Sequence, residues 1–142
     1  MGREWIRENP AQWDAHKASV IGGAEPGALD TVERSVGDLL PGEWWRVEDD
    51  GRIVGYGWMD CTWGDAEMLL AVAREDRSRG VGAYILDGLA REAAARGLNY
   101  LYNQVRPKHP DRDRVTAWLC RHGFTASGGD HLLRRRVRTL VR

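Results

Sequence analysis

The segment from Val72 to Ala83, Val-Ala-Arg-Glu-Asp-Arg-Ser-Arg-Gly-Val-Gly-Ala, gathers the residue types that hold an anion. Arg77 and Arg79 bring full positive charge and Ser78 a hydroxyl, while Gly80 and Gly82 leave the main chain bare. An apolar run ends at Val72 and a helical pattern begins near Gly80, so the order is strand, basic turn, helix start. The first N–H groups of a helix have no intrahelical partner, and the helix dipole adds partial positive charge there. Glycine at those positions lets a phosphate come close to the backbone. Two better-known phosphate loops do not fit. No GxxxxGKS or GxxxxGKT pattern occurs, and Gly80-Val-Gly82-Ala-Tyr-Ile lacks the third glycine of the dinucleotide fingerprint. The bland alternative is a strand–helix connection whose glycines serve only a tight turn.

The elements that must position this turn can be read along the chain. Arg3–Glu8 suggests a short strand closed by Asn9-Pro10, and residues 11–21 a helix. After a loop with Gly22-Gly23 and Pro26-Gly27, Ala28–Leu40 predicts a second helix, ended by Pro41-Gly42. Trp44–Glu48 and Ile53–Asp60 are β-branched and aromatic, with hairpin-turn chemistry in Asp49-Asp50-Gly51-Arg52 between them. As strand neighbours, Trp44 and Trp45 must face opposite sides of a sheet. The nearly unbroken apolar run Ala66–Ala73 predicts a central strand covered on both faces.

Beyond the basic turn, Val81, Ile85 and Leu89 form the inner stripe of a helix from about Gly80 to Arg96, stopped by Gly97. Tyr100–Val105 alternates as a strand, and Pro107 and Pro110 break the chain. Asp111 or Asp113 then caps a helix whose inner face is Val115, Trp118, Leu119 and His122, closed by Gly123. Phe124–Ser127 and His131–Val137 complete a hairpin around Gly128-Gly129. The order from residue 43 is β-β-β-α-β-α-β-β, which predicts an α/β domain: a mixed central sheet with helices on both faces, formed by residues 1–142 as a single unit.

Charge excludes one class of partner. Lys plus Arg and Asp plus Glu are 21 each, so the basic excess of a nucleic-acid binder is missing. The run of Arg134, Arg135, Arg136, Arg138 and Arg142 has two readings, a solvated edge strand or a patch for an anionic ligand. Cys61 and Cys120 form no CxxC pair, and His16, His109, His122 and His131 share no metal-like spacing, so no metal is expected. Met1–Trp5 lacks a signal peptide's apolar run and no stretch reaches membrane-spanning length. The expectation is a cytoplasmic protein with free thiols and no membrane partner.

The turn Arg77-Ser78-Arg79-Gly80-Val81-Gly82 resembles the signature of the GNAT N-acetyltransferase superfamily: Gln or Arg, two residues, Gly, one residue, then Gly or Ala. Ala117-Trp118-Leu119-Cys120-Arg121-His122-Gly123-Phe124 looks like that family's closing helix with its Gly-Phe step into a strand. The resemblance covers about residues 43–137. It implies a GNAT fold, acetyl-coenzyme A as co-substrate, and an amine-bearing small molecule or peptide as acceptor. Main-chain amides from Arg77 through Ser78, Arg79, Gly80, Val81 and Gly82 to Ala83 would hold the pyrophosphate. The strand Leu70-Ala71-Val72 would splay from Tyr100–Val105, admit the pantetheine arm and aim a main-chain N–H at the thioester oxygen. Many family members pair, so a homodimer is left open.

Glu67 resembles the strand Glu that serves as base in the family's histone-type members, with Asp60 and Asp65 as lesser candidates. Its odd spacing from Val72 sets the two on opposite faces unless a bulge intervenes, and an exposed Glu at a strand start is the alternative. The family's proton donor is a Tyr four residues before the Gly of Gly-Phe, and here Leu119 stands there. Either the thiolate leaves unaided or with water, or Cys120 or Tyr102 substitutes, or the chain does not catalyse. For Cys120, a place in the core is the competing expectation. Likeness of Arg79-Gly-Val-Gly-Ala-Tyr-Ile-Leu and Gly123-Phe-Thr-Ala-Ser-Gly-Gly to GNAT-like maturation factors of aspartate decarboxylase supports the second function class: an acetyl-coenzyme A-binding regulator without turnover. On the enzyme reading, Gly82→Asp is expected to abolish coenzyme A binding and leave the fold intact.

Overall fold

The computed structural model describes residues 2–22, 35–105, 111–126 and 132–137. Seven strands form one mixed sheet in the order β1-β2-β3-β4-β5-β7-β6. These are β1 (Arg3–Glu8), β2 (Glu43–Asp49), β3 (Arg52–Thr62), β4 (Asp65–Val72), β5 (Tyr100–Gln104), β6 (Thr125–Ala126) and β7 (Leu132–Arg136). Three helices accompany them: α1 (Ala15–Gly22), α2 (Val81–Ala95) and α3 (Arg112–Arg121). β1 to β4 run antiparallel to their neighbours, and β4 and β5 are the parallel pair joined by α2. The expected alternation of elements from residue 43 is observed.

Each face of the sheet has its own core. On one face, Val81, Ile85, Leu86, Leu89 and Ala93 of α2 pack against Trp45, Val47, Val54, Met59, Ala66 and Met68, with Leu119 of α3 in the same cluster. The opposite face carries Val20 of α1 against Tyr56 and Ala73, flanked by Trp44 and Ala71. Trp44 and Trp45 therefore do point to opposite faces. The hairpin turn also matches its chemistry: Asp50 and Gly51 both have positive φ, 53° and 83°, as a two-residue turn between twisted strands requires. Lys17, 1% exposed, anchors α1 to the sheet. Its ammonium lies 2.7 Å from Glu8 Oε1 and 3.1 Å from Asp14 Oδ2, above the Tyr56 ring. The Glu8 contact is an ion pair without hydrogen-bond geometry.

Four expectations are corrected. The helix over residues 11–21 begins only at Ala15, because Asp14 caps it through the Lys17 N–H at 2.7 Å. Residues 11–13 instead pair with residues 37–40: Gly37 N–H donates to Trp13 O and Leu40 N–H to Ala11 O. That same pairing removes the end of the helix expected over Ala28–Leu40, since Ser35–Leu40 forms a turn and an isolated bridge, Gln12↔Leu39. Its earlier part lies outside the described residues. β4 is fully covered only at Ala66 and Met68; Glu67 and the stretch from Leu69 to Val72 are half-buried, because a cavity borders them. The arginine-rich β7 is no edge strand, as it lies between β5 and β6. Arg134 stacks 4.3 Å above the Tyr100 ring, while Arg138 and Arg142 lie outside the described residues. Among the described residues, no helix is long and apolar enough to cross a membrane.

Candidate active site

β4 and β5 pair over only three rungs, Asp65↔Tyr100, Ala66↔Leu101 and Glu67↔Tyr102. Both strands continue past the last rung, β4 to Val72 and β5 to Gln104, so a gap opens between them. The direction of the β4 main chain follows from its other neighbour. Ala73 N–H donates to Val54 O of β3 at 2.9 Å, and the β3–β4 register is unbroken from Gly55↔Val72 to Thr62↔Asp65. Main-chain groups alternate in an antiparallel ladder, so the odd residues of β4 turn to β3. Met68, Leu70 and Val72 accordingly turn theirs toward β5, and the N–H of Leu70 and of Val72 are directed into the gap.

At the end of β4 the chain makes a single 3-10 turn, Arg74–Asp76, and reaches the helix through two left-handed residues, Ser78 (φ 66°) and Gly80 (φ 79°). Left-handed residues at alternate positions gather main-chain N–H groups into a concavity suited to an anion. For Ser78, which has a side chain, this conformation costs about 1–2 kcal/mol. Gly80 is the N-cap of α2 and offers no capping side chain, so the N–H groups of the first turn face outward.

Two distant arginines hold the turn. Arg52 of β3 donates two hydrogen bonds to Asp76, at 2.7 and 2.8 Å, and Asp76 is 2% exposed. Those hydrogen bonds keep the Asp76 carboxyl below its ordinary pKa against the opposing effect of burial, and the charges of Arg79 and Arg3 act in the same direction. Arg3 of β1 donates to the carbonyl of Arg79, and Tyr84 Oη donates back to Arg3 O at 3.3 Å.

A cavity of about 610 Å³ connects gap and turn. Glu67, Leu70, Ala71, Val72, Arg77, Ser78, Gly80, Val81, Gly82 and Ala83 all line it, facing Asn103–Val105 and α3 across the opening. Of the residues expected in the cradle and along β4, Arg79 is off this wall, its carbonyl being engaged by Arg3. Asp60, Asp65 and Tyr102, from the candidate acids and bases, do not line it either. Because β4 has no bulge against β3, the Glu67 side chain lies on the α1 face, opposite Met68 and Leu70. Asp60 is its cross-strand neighbour and Tyr102 its neighbour on β5. Burial pushes the Tyr102 phenol above its ordinary pKa, and the charges of Glu67, Asp60 and Asp65 push the same way. Leu119, 3% exposed, fills the position expected for a tyrosine. Cys120 is exposed and does not line the cavity, so it is neither core filler nor proton donor here.

The sequence reading missed Arg3, Arg52, Asp76 and Asn103, and it misjudged Gly82. A Cβ on Gly82 would meet Trp118 Cζ2 at 3.1 Å, so this glycine makes room for an indole ring. That ring in turn lies 4.1 Å, centroid to centroid, from the His122 ring. The expectation that Gly82→Asp would spare the fold is therefore withdrawn, because the new side chain would displace Trp118.

The strand–turn–helix cradle beside a split parallel pair places the chain among the acetyltransferases: it belongs to the GNAT family, whose profile, described as acetyltransferase (GNAT) domain, matches residues 41–126. Solved structures share the fold. The ribosomal-protein-S18-alanine N-acetyltransferase of Escherichia coli superposes with a TM-score of 0.57 at 16% identity, over 70% of each chain. A phosphinothricin acetyltransferase from Sinorhizobium meliloti, solved with AcCoA, gives 0.56 at 18% identity, over 68% of this chain and 61% of that one. N-acetylglutamate synthase from Neisseria gonorrhoeae, complexed with coenzyme A and N-acetyl-glutamate, gives 0.71 at 17% identity. That match covers 95% of this chain but 35% of the larger protein. No curated protein sequence matches the chain.

Proposed function

We propose that the chain, acting as a single domain, transfers an acetyl group from acetyl-coenzyme A directly to an amine of a small molecule or peptide. The observation that carries this reading is the continuity of two features: the β4–β5 gap runs into the cradle formed by Arg77–Ala83. A diphosphate fits the cradle, where helix-start N–H groups, Ser78 and Arg77 supply donors and positive charge. A slender, hydrogen-bonding arm fits the gap, which has strand edges on both sides. The solved relatives that hold AcCoA or coenzyme A support this choice of co-substrate.

The thioester supplies an activated acyl group, and the chain's residues do the rest. Leu70 N–H donates to the thioester oxygen; a single donor of this kind contributes roughly 3 kcal/mol in acyl-transfer enzymes. Glu67, at the closed end of the gap, takes the proton of the attacking amine, directly or through a water. The new C–N bond forms as the C–S bond breaks, and the departing thiolate takes its proton from water, since Tyr102 is off the cavity wall and its raised pKa makes it a poor donor.

One observation favours a second reading, a regulator that binds acetyl-coenzyme A without turnover: Leu119 is aliphatic and buried where the family's acid stands. The deciding experiment incubates the purified protein with acetyl-coenzyme A and a panel of amines, including peptide N-termini, and follows thiol release. Acceptor-dependent release supports the enzyme. Tight binding without release by any acceptor supports the regulator, and absence of binding defeats both.

A further inference from the structure

Among the described residues, three polar or charged side chains are buried: Lys17, Asp76 and Asn103. Lys17 and Asp76 are paired with opposite charges. Asn103 is different. It lies between Leu101 and Val105, both in the main core, so strand alternation puts it where an aliphatic side chain would pack. Burying an amide there is costly unless it is hydrogen-bonded. Its Nδ2 donates to the main-chain carbonyl of Met68 at 2.9 Å, and the residue lines the cavity.

That carbonyl is the acceptor the next rung of the parallel ladder would use. Val137 N–H donates to Asn99 O, so the odd residues of β5 turn their main-chain groups to β7 and the even ones to β4. Gln104 N–H would therefore be the natural partner of Met68 O. The pairing stops one rung short, at Glu67↔Tyr102, where the Asn103 amide occupies that oxygen. We propose that Asn103 is a positioning residue, a side-chain wedge that ends the β4–β5 ladder and keeps Leu70 N–H available in the gap. This rests on the reading of the gap as the seat of the thioester arm.

The test combines amide hydrogen exchange with kinetics in wild type, Asn103→Ala and the volume-keeping Asn103→Leu. Without the amide, the ladder extends: Gln104 N–H exchanges more slowly than in wild type. The Kd for acetyl-coenzyme A then rises about tenfold, the scale of one lost hydrogen bond of preorganisation. The KM for the amine at saturating acetyl-coenzyme A stays within twofold, which general loosening of the core would not spare. Unchanged Gln104 exchange, or wild-type affinity in both variants, overturns the wedge. If neither variant folds, wild type decides: Gln104 and Leu70 amides that exchange quickly alone and slowly with acetyl-coenzyme A support it, and slow exchange without ligand overturns it. A wild-type protein that binds no acetyl-coenzyme A would sink the proposed function, while the exchange comparison would still judge the wedge.

Discussion

Glu67 illustrates how much one residue's orientation decides. Its strand is unbulged against β3, so its carboxylate faces α1 while the side chains of Met68 and Leu70 face α2. On the proposed reading, an amine that meets this base must enter from the α1 side. Glu67→Gln should lower kcat about a hundredfold near neutral pH. The deficit should shrink as pH rises toward the amine's own pKa, because an already neutral amine needs no base. A kcat–pH profile parallel to wild type throughout would move the base elsewhere. Arg77, Ser78, Gly80 and Gly82 could be recognised from sequence because charge, bare backbone and helix start lie within one short stretch. Arg3 could not, since its contact with Arg79 spans 76 residues and only folding brings β1 beside α2. Gly82 was recognised for an incomplete reason, its indole neighbour being supplied by a helix further along the chain.

The elements were mostly legible wherever apolar periodicity was strong. β4, α2 and β5 lie within a residue or two of expectation, because buried strands and a helix stripe leave clear patterns. Legibility failed at residues 11–14 and 35–40, where main-chain groups of two distant segments satisfy one another and local helix preference loses. Two predictions belong at this scale. The first concerns α2 and β1: a Cβ at Gly88 would meet the Trp5 ring at 2.7 Å, and Trp5 is itself stacked 5.4 Å from Trp45. With the indole held on both sides, Gly88→Ala should destabilise by about 1–3 kcal/mol in denaturant melts, and an unchanged midpoint would show that Trp5 can move aside.

The second concerns the turn after β4. The carboxyl of Asp76 is held below its ordinary pKa, chiefly by hydrogen bonds from Arg52. A depressed acid stabilises the fold above its unfolded pKa, and this contribution disappears as pH falls through the folded value. Arg52→Ala should therefore lower Tm most at neutral pH, and the difference from wild type should close in strongly acidic buffer. A difference that is constant with pH would mean that Arg52 acts by packing alone.

At the scale of the whole molecule, the sheet's mixed character and the two-faced core follow from the reading of strand and helix order, whereas the position of β7 inside the sheet does not. Sequence order sets β6 and β7 as a hairpin, but which of them meets β5 is decided in space: residues 132–136 pair along all of β5, whereas β6 has two residues. A ligand that bridges β4, the turn and β5 binds only the assembled sheet, so acetyl-coenzyme A should raise Tm. At a hundredfold excess over Kd the gain is about 2.7 kcal/mol by mass action, and a flat thermal-shift titration would count against the cradle. The three-rung junction carries one more consequence. β1 to β4 form one leaf and β5 to β7 another, hinged along a spine of three residue pairs. When pulled across its strands, the empty protein should part along that spine before any other junction except that of the two-residue β6, and a bound carrier, threaded between the leaves, would serve as the stitching.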